Sequence, residues 1–191
     1  MRNAAYLSRD QLIDLGFASL GEDVLVHETC VLIGCENVEL DDRVRIDPFC
    51  ILTARERVTI GTRTHIGAHS ALMGTAGISI GAYCGLSQGV RLLSAADDFK
   101  AGALIGPQVP ASLTAVQSGR IILDRFSVVG ANCVVLPSAH LEEGATVGAL
   151  SLVKGVLPAW SVSAGVPAKK VADRDRDGVL RAAERLESGD Y

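Results

Sequence analysis

An aliphatic residue followed by Gly, Asp or Glu recurs along this chain in steps of six. Few folds accommodate that period. Leu40-Asp41 is followed by Ile46-Asp47, and Ile60-Gly61 by Ile66-Gly67. Ile80-Gly81 leads to Leu86, Leu123-Asp124 to Val129-Gly130 and Val135, and Leu141-Glu142 to Val147-Gly148 and Val153. A weaker copy begins at Leu20-Gly21 and continues at Val26. Helices repeat at 3.6 residues and strands at 2, so six fits neither. It fits a coil with three short flat sides, one hexapeptide per side, each side directing one aliphatic residue inward. Turn starts at Leu20, Leu40, Ile60 and Ile80 lie 20 residues apart, so two extra residues loop out of each early coil. From Leu123 to Leu141 the spacing is a bare 18. The fold class expected is all-β, a parallel β-helix of hexapeptide repeats.

The fifth place of each hexapeptide is small or β-branched. Cys30, Cys50, Cys84 and Cys133, four of the five cysteines, fall on it. They read as small buried hydrophobes. The odd count, the lack of a CxxC and the lack of a secretion signal argue against a disulfide framework or a zinc site. The composition agrees, with 48% hydrophobic but only 4% aromatic residues, so the core must be built from Val, Ile, Leu, Ala and Cys. Three segments are expected: an N-terminal cap over 1–19, a β-helix over 20–157 carrying an inserted loop at 94–120, and a C-terminal tail and short α-helix over 158–191. Residues 8–15, SRDQLIDL, predict a short helix with Ser8 as N-cap and Gln11 completing a capping box. Past Val153 the periodicity stops. Asp173 to Ser188 predicts an amphipathic helix with Val179, Leu180, Ala183 and Leu186 on one stripe. The interruption SAADDFKAGALIGPQVPASLTAVQSG exceeds ~15 residues, a length that usually marks function.

A net charge of −4 gives no reason to expect a nucleic acid polymer or an anionic membrane as partner. No apolar run approaches the ~20 residues of a membrane span. The N-terminal stretch MRNAAYLSRDQLIDLGF is broken by Arg9, Asp10 and Asp14 and does not read as a signal peptide, so a cytoplasmic location is expected.

The hexapeptides IGTRTH-IGAHSA, LDRFSV-VGANCV-VLPSAH and LEEGAT-VGALSL-VKG, followed by AGVPAKKV, together resemble the hexapeptide-repeat acyltransferases. The resemblance spans residues 6–175. It is strongest to bacterial acetyltransferases that modify sugars or nucleotide-linked sugars for surface polysaccharides. It implies a left-handed helix, acetyl-CoA as co-substrate, and a homotrimer with active sites in clefts between subunits. The handedness comes from the resemblance alone, since right-handed crossovers are the rule for parallel strands.

Acyl transfer from a thioester needs a nucleophile, an acceptor for its proton and donors for the oxyanion. Of the four histidines, His65 ends its hexapeptide on an outward-facing position near the loop and is the candidate base. His140 occupies the equivalent place later in the chain, nearer the expected coenzyme region. His27 and His69 fall at turn positions and are expected to be solvated. Asp98 in the loop is a second catalytic candidate. Asp97, Ser87 and Gln88 are candidates for acceptor binding. Many sugar O-acetyltransferases carry a catalytic histidine in the corresponding excursion, and this loop has none. That absence favours an amine acceptor, which needs less help from a base than a hydroxyl does.

The resemblance places the pantetheine arm along the last coils, beside Ala131, Ala149, Ser151 and Ala164, where small residues permit close approach to the main chain. Lys154, Lys169 and Lys170 are candidates for the coenzyme phosphates. Trp160 is either cover for the adenine or, preferably, a plug at the open end of the helix. A competing motif, Asp173-Arg-Asp175-Arg-Asp177-Gly178 with Glu184, satisfies the calcium-loop pattern but lacks an entering helix. A three-histidine metal enzyme on the same coil and a non-catalytic scaffold are the other readings. Four histidines at unmatched positions weaken the first, and the loop with its lysine tail weakens the second. No metal ligand is assigned.

Overall fold

The computed structural model describes residues 5–191; residues 1–4, the start of the expected cap segment, lie outside the described residues. The chain winds through three parallel sheets in turn, so that each sheet gains one strand per coil. The first sheet runs from Ser19–Leu20 to Val156–Leu157 with seven strands. The second runs from Leu25–Val26 to Ala168–Asp173 with eight, and the third from Val31–Ile33 to Leu152–Val153 with six. In the first sheet Leu40, Ile60, Ile80, Leu123, Leu141 and Leu157 stand in register. The second stacks Ile46, Ile66, Leu86, Val129 and Val147. The third stacks Leu52, Leu72, Leu92, Val135 and Val153. All sixteen residues are buried. Each aliphatic side chain is covered by its counterparts in adjacent coils, a burial worth about 1.5–3 kcal/mol per residue.

The corners explain the rest of the hexapeptide. Its fourth place adopts a left-handed backbone, with positive φ at Arg43, Phe49, Arg63, His69, Tyr83, Phe126, Asn132, Ser138, Leu150 and Trp160 as well as at Gly89 and Gly144. The fifth place turns inward, where only a small side chain fits. Polar residues there bond to a carbonyl of the next coil, as Thr64 Oγ1 does to Gly81 O at 2.9 Å and Ser70 Oγ to Ser87 O at 3.2 Å. Cys50 and Cys84 donate in the same way to Gly67 O and Asp124 O. All five cysteines are free. Burial pushes the Cys84 thiol up to about 12, which keeps it unreactive.

The six-residue count stops past Val153, as expected, but the winding continues beyond the expected end of the β-helix at 157. Gly155, at φ 88°, makes the next corner within a shortened hexapeptide, so Val156–Leu157 rejoins the first sheet and Ser161–Gly165 the second. The chain then folds back antiparallel as Ala168–Asp173. Helix α1, Arg9–Asp14, has the expected capping box, and its Leu12 is buried against the first coils. Helix α2, Arg176–Ser188, begins at an Asp175 cap and ends at Gly189. Its stripe of Val179, Leu180, Ala183 and Leu186 faces the β-helix, and Glu187 meets Tyr83 and Arg125. Trp160 is half-buried at a corner, its ring lying where a side chain on Gly144 would sit. It packs on Phe126, with Arg174 and Arg176 beside its ring, and so braces a corner rather than plugging the core.

Because Ile80 is buried by coils on both sides, Ile80→Ala should lower the unfolding free energy by about 2–5 kcal/mol. Ile13→Ala, at a position 57% exposed, should change it little. Denaturant unfolding of both variants measures the difference, and equal losses would refute the ladder as the main source of stability.

Candidate active site

The ladder breaks at one place, where the chain leaves the third sheet after Arg91–Leu93 and rejoins the first at Ile121–Leu123. Buried Ser94 pins the exit: its hydroxyl donates to Met73 O and accepts from Ala76 N–H, both at 2.8 Å. Gly119 N–H closes the base of the excursion on Ser94 O. Between these points Ala95–Asp97 and Val116–Ser118 form an antiparallel hairpin.

Two cavities flank the hairpin. One, of about 550 Å³, is lined by Arg55, Thr75, Asp97, Pro107 and Thr114 among others. The second, of about 260 Å³, is lined by Asp97, Asp98, Phe99, Leu136, Pro137 and Lys154 among others. Asp97 and Ala96 line both, and Asp97 is the only charged residue that the two cavities share. Asp98 is more occupied. Its carboxylate accepts the Lys100 N–H at 2.9 Å, and that bond, followed by one from Gln117, lowers its pKa.

His65 stands on the outer face of the second sheet and lines neither loop cavity. Its Nε2 lies 2.8 Å from Asp47 Oδ2, while Arg45 Nε donates to Asp47 Oδ1 at 2.8 Å and the Tyr6 hydroxyl donates to the same oxygen. Next to His65 in the sheet is Gly85, beside which the space is open. His65 is thus an oriented, half-exposed imidazole facing a notch. Burial works against the Asp47 carboxylate, but hydrogen bonds and charge from His65 and Arg45 prevail and hold its pKa below the usual carboxylate value. His140 has a similar partner, Asp124 at 2.7 Å.

His27 departs from the sequence expectation. It is buried, not solvated, because its corner is covered by Tyr6, and its Nδ1 accepts the Thr29 N–H. His69 is exposed as expected and stacks on Phe49.

The remaining candidates divide between two edges of the prism. Ser87 and Gln88 lie on the edge between the second and third sheets, next to Ala131 and Ala149 in later coils. Gln88 O accepts Asn132 N–H, and Ala131 O accepts Leu150 N–H. Ala164 lies against Gly148 at the end of this edge and pairs with Lys169 across the terminal hairpin. Ser151 is buried, donating to Gly148 O and accepting from Gly165 N–H, so its hydroxyl is consumed in closing the last corner. Lys170 is paired with Asp173, whereas Lys169 is exposed. Lys154 belongs to the other edge, beside the loop, and the structure does not group it with Lys169 and Lys170. The calcium-loop pattern is overturned: Asp177 and Glu184 lie along one continuous helix, and Asp175 caps it by accepting Gly178 N–H. Among the described residues no group of three or more His, Cys, Asp or Glu converges on a point.

Sequence reasoning missed Arg55 and Thr75, because the loop that makes them cavity walls is remote in sequence. It also missed Asp47, whose hexapeptide place usually carries a main-chain corner and not a working side chain.

A prismatic β-helix broken by one loop is the fold of the hexapeptide-repeat acyltransferases, and its relatives show that the chain is an acyltransferase of this class. No family model matches the chain. A dTDP-4-amino-4,6-dideoxy-D-glucose acyltransferase from Escherichia coli is 34% identical over 173 residues, 90% of each chain. AntD, an N-acyltransferase from Bacillus cereus solved with dTDP and 3-hydroxybutyryl-CoA, superposes with a TM-score of 0.92 at 34% identity, over 98% of this chain and 99% of that one. Solved variants of AntD alter a serine and, ten residues further along, an aspartate. The polySia-specific acetyltransferase NeuO, at 17% identity and a TM-score of 0.55 over 81% of this chain and 91% of its own, shares the fold. The chain belongs to the sugar acyltransferase family that contains the E. coli and B. cereus enzymes, and its β-helix is left-handed as theirs is.

The depressed Asp47 pKa makes a testable contribution to stability. A carboxylate held low adds stability above its unfolded value of ~3.9 and loses it as pH falls through the folded value. Asp47→Asn should therefore melt below the parent protein near neutral pH, with the gap closing below about pH 4. A gap that does not change with pH would remove the charge from this account.

Proposed function

We propose that the protein transfers a short acyl group from coenzyme A to the amine of a nucleotide-linked amino sugar, with Asp97 as the proton acceptor. The observation carrying this reading is that Asp97 borders both loop cavities, so one carboxylate reaches an acceptor in the larger and a thioester in the smaller. The named relatives favour the same chemistry, since AntD is an N-acyltransferase and the E. coli enzyme acts on a dTDP-linked amino sugar. Ser87 and Asp97 also repeat the serine–aspartate spacing altered in the AntD variants. The sequence expectation gave Asp98 the catalytic part. Its engagement by Lys100 N–H favours a structural part, and Asp97 takes its place.

In this reaction the amine nitrogen bonds to the thioester carbonyl carbon, the carbon–sulfur bond breaks, and the proton lost from nitrogen passes by way of Asp97 to the departing thiolate. Leu136 and Pro137 give the smaller cavity apolar walls and Lys154 a cation at its edge, and its size suits a short acyl group such as acetyl. Ala131, Ala149 and Ala164 leave a shallow path along the second edge, ending at Lys169, that fits a pantetheine arm and its phosphates.

The two edges suggest how the site is completed. Phe99, Leu104, Ile105, Leu113 and Val116 of the loop are exposed, as are Val31, Ile33 and Ile51 on the third sheet. Surfaces of this kind are normally covered. A homotrimer would bury them and bring the loop of one subunit against the Ser87–Ala149 edge and His65 of the next. The five free cysteines favour a reducing compartment, the cytoplasm. No helix among the described residues is long and apolar enough to cross a membrane.

Asp97→Asn should lower kcat by about 10²–10⁴-fold while leaving coenzyme affinity unchanged. Thiol release and calorimetry with acyl-CoA measure the two effects, and unchanged turnover would dismiss Asp97. His65→Ala should also lower turnover. If the two residues act from different subunits, co-assembled Asp97→Asn and His65→Ala chains should regain about a quarter of the parent activity through sites that draw both intact residues. No recovery in mixed oligomers would place His65 outside the partner's site.

A further inference from the structure

The larger cavity holds two charged side chains, Asp97 and Arg55. Arg55 differs from the arginines near it. Arg57 is held by Glu39, and Arg120 donates to the Arg57 carbonyl, whereas the exposed Arg55 guanidinium has no ion pair or hydrogen bond among the described residues. The position is fixed by register. Ala54 stands opposite Gly74, so Arg55 and Thr75 follow as neighbours on the edge between the third and first sheets, and the loop departs from the next coil at Ser94. Two strand spacings, on the order of 10 Å, separate the Arg55 backbone from the base of the loop that carries Asp97. A pyranose ring with a diphosphate on its anomeric carbon spans a comparable distance.

We propose that Arg55 is the residue that binds the diphosphate of the acceptor, so that the enzyme selects nucleotide-linked amino sugars over free ones. This rests on the acceptor reading above. A guanidinium offers five N–H donors in a planar fork that matches phosphate oxygens in pairs, and an unpaired one pays no penalty for leaving a previous partner. The cavity provides the hydroxyl of Thr75 as a further donor, and its one carboxylate is the group assigned to the amine. A ligand carrying a diphosphate at one end and an amine N–H donor at the other is what such a cavity complements. The coenzyme's own phosphates have a cation elsewhere, at Lys169.

The test is calorimetry on the full chain with three probes, dTDP, thymidine and coenzyme A, and kinetics with a dTDP-linked amino sugar. Arg55→Ala should weaken dTDP binding by about 30-fold and raise the acceptor KM by a similar factor, with kcat within a few-fold of the parent. Thymidine and coenzyme A should bind as before, and Arg55→Lys should restore part of the loss. Unchanged dTDP affinity in Arg55→Ala, with the parent protein binding dTDP and acylating the sugar, overturns the assignment while leaving the acceptor reading intact. Loss of coenzyme A binding in place of dTDP binding overturns it as well. A parent protein that neither binds dTDP nor releases thiol in the presence of the amino sugar defeats both.

Discussion

The structure depends on the stacking of like aliphatic residues from coil to coil. Each sheet contributes one ladder, and no hexapeptide can bury its inward side chain without the coils beside it. This requirement fixes the positions of everything else. A residue outside the ladder keeps its distance from the axis and its height along it because the ladder holds its hexapeptide in register. The corners cost something, since a left-handed backbone at a residue with a Cβ is unfavourable by roughly 1–2 kcal/mol. Arg43, Arg63, Tyr83 and Phe126 accept that cost in successive coils. The cost recurs at every corner because the hydrogen bonds and burial on the flat sides exceed it.

Against this regular background, the loop at 94–120 is the departure that walls the two cavities of the candidate site. By lifting the chain off the third sheet at Ser94 and returning it at Arg120, the excursion makes walls for two cavities and puts Asp97 between them. The coils beneath supply the floor, and they supply it with side chains whose heights the register has already set. The hairpin of Ala95–Asp97 and Val116–Ser118 that carries Asp97 is short, and it is anchored to the coils through Ser94 and Gly119.

The period-six pattern made the fold readable, because Leu40, Ile60, Ile80 and their successors carry it without ambiguity. It lost the last coil, because a shortened hexapeptide at Gly155 breaks the count while the chain keeps winding. The site was readable in part. Asp97, Asp98 and Lys154 were singled out from the sequence, and the structure brings them to one cavity. Arg55 and Asp47 were not, since each matters only through what a distant segment places beside it. His27 was read as solvated because corner residues usually are, and only the return of the N-terminal segment with Tyr6 covers it. The calcium pattern failed for a local reason: Asp175 makes a better helix cap than a metal ligand, and once the cap forms, Asp177 and Glu184 are committed to a helix.

The absence of a histidine from the loop now has a physical counterpart. A hydroxyl acceptor must be deprotonated as it attacks, which demands a base with a pKa near the working pH. An amine attacks with its own lone pair and becomes acidic only afterwards, in the tetrahedral adduct, where the nitrogen carries positive charge. A carboxylate suffices to take that proton, and before the reaction it can hold the neutral amine in place by accepting one of its N–H bonds. Asp97 at the meeting of two cavities suits both tasks. His65, oriented by Asp47 on a separate face, is suited to neither within its own chain, so any part it plays depends on the face of a neighbouring subunit. In the trimer proposed above, a carboxylate that handles an amine alone would leave the histidine free to orient the acceptor from across the cleft.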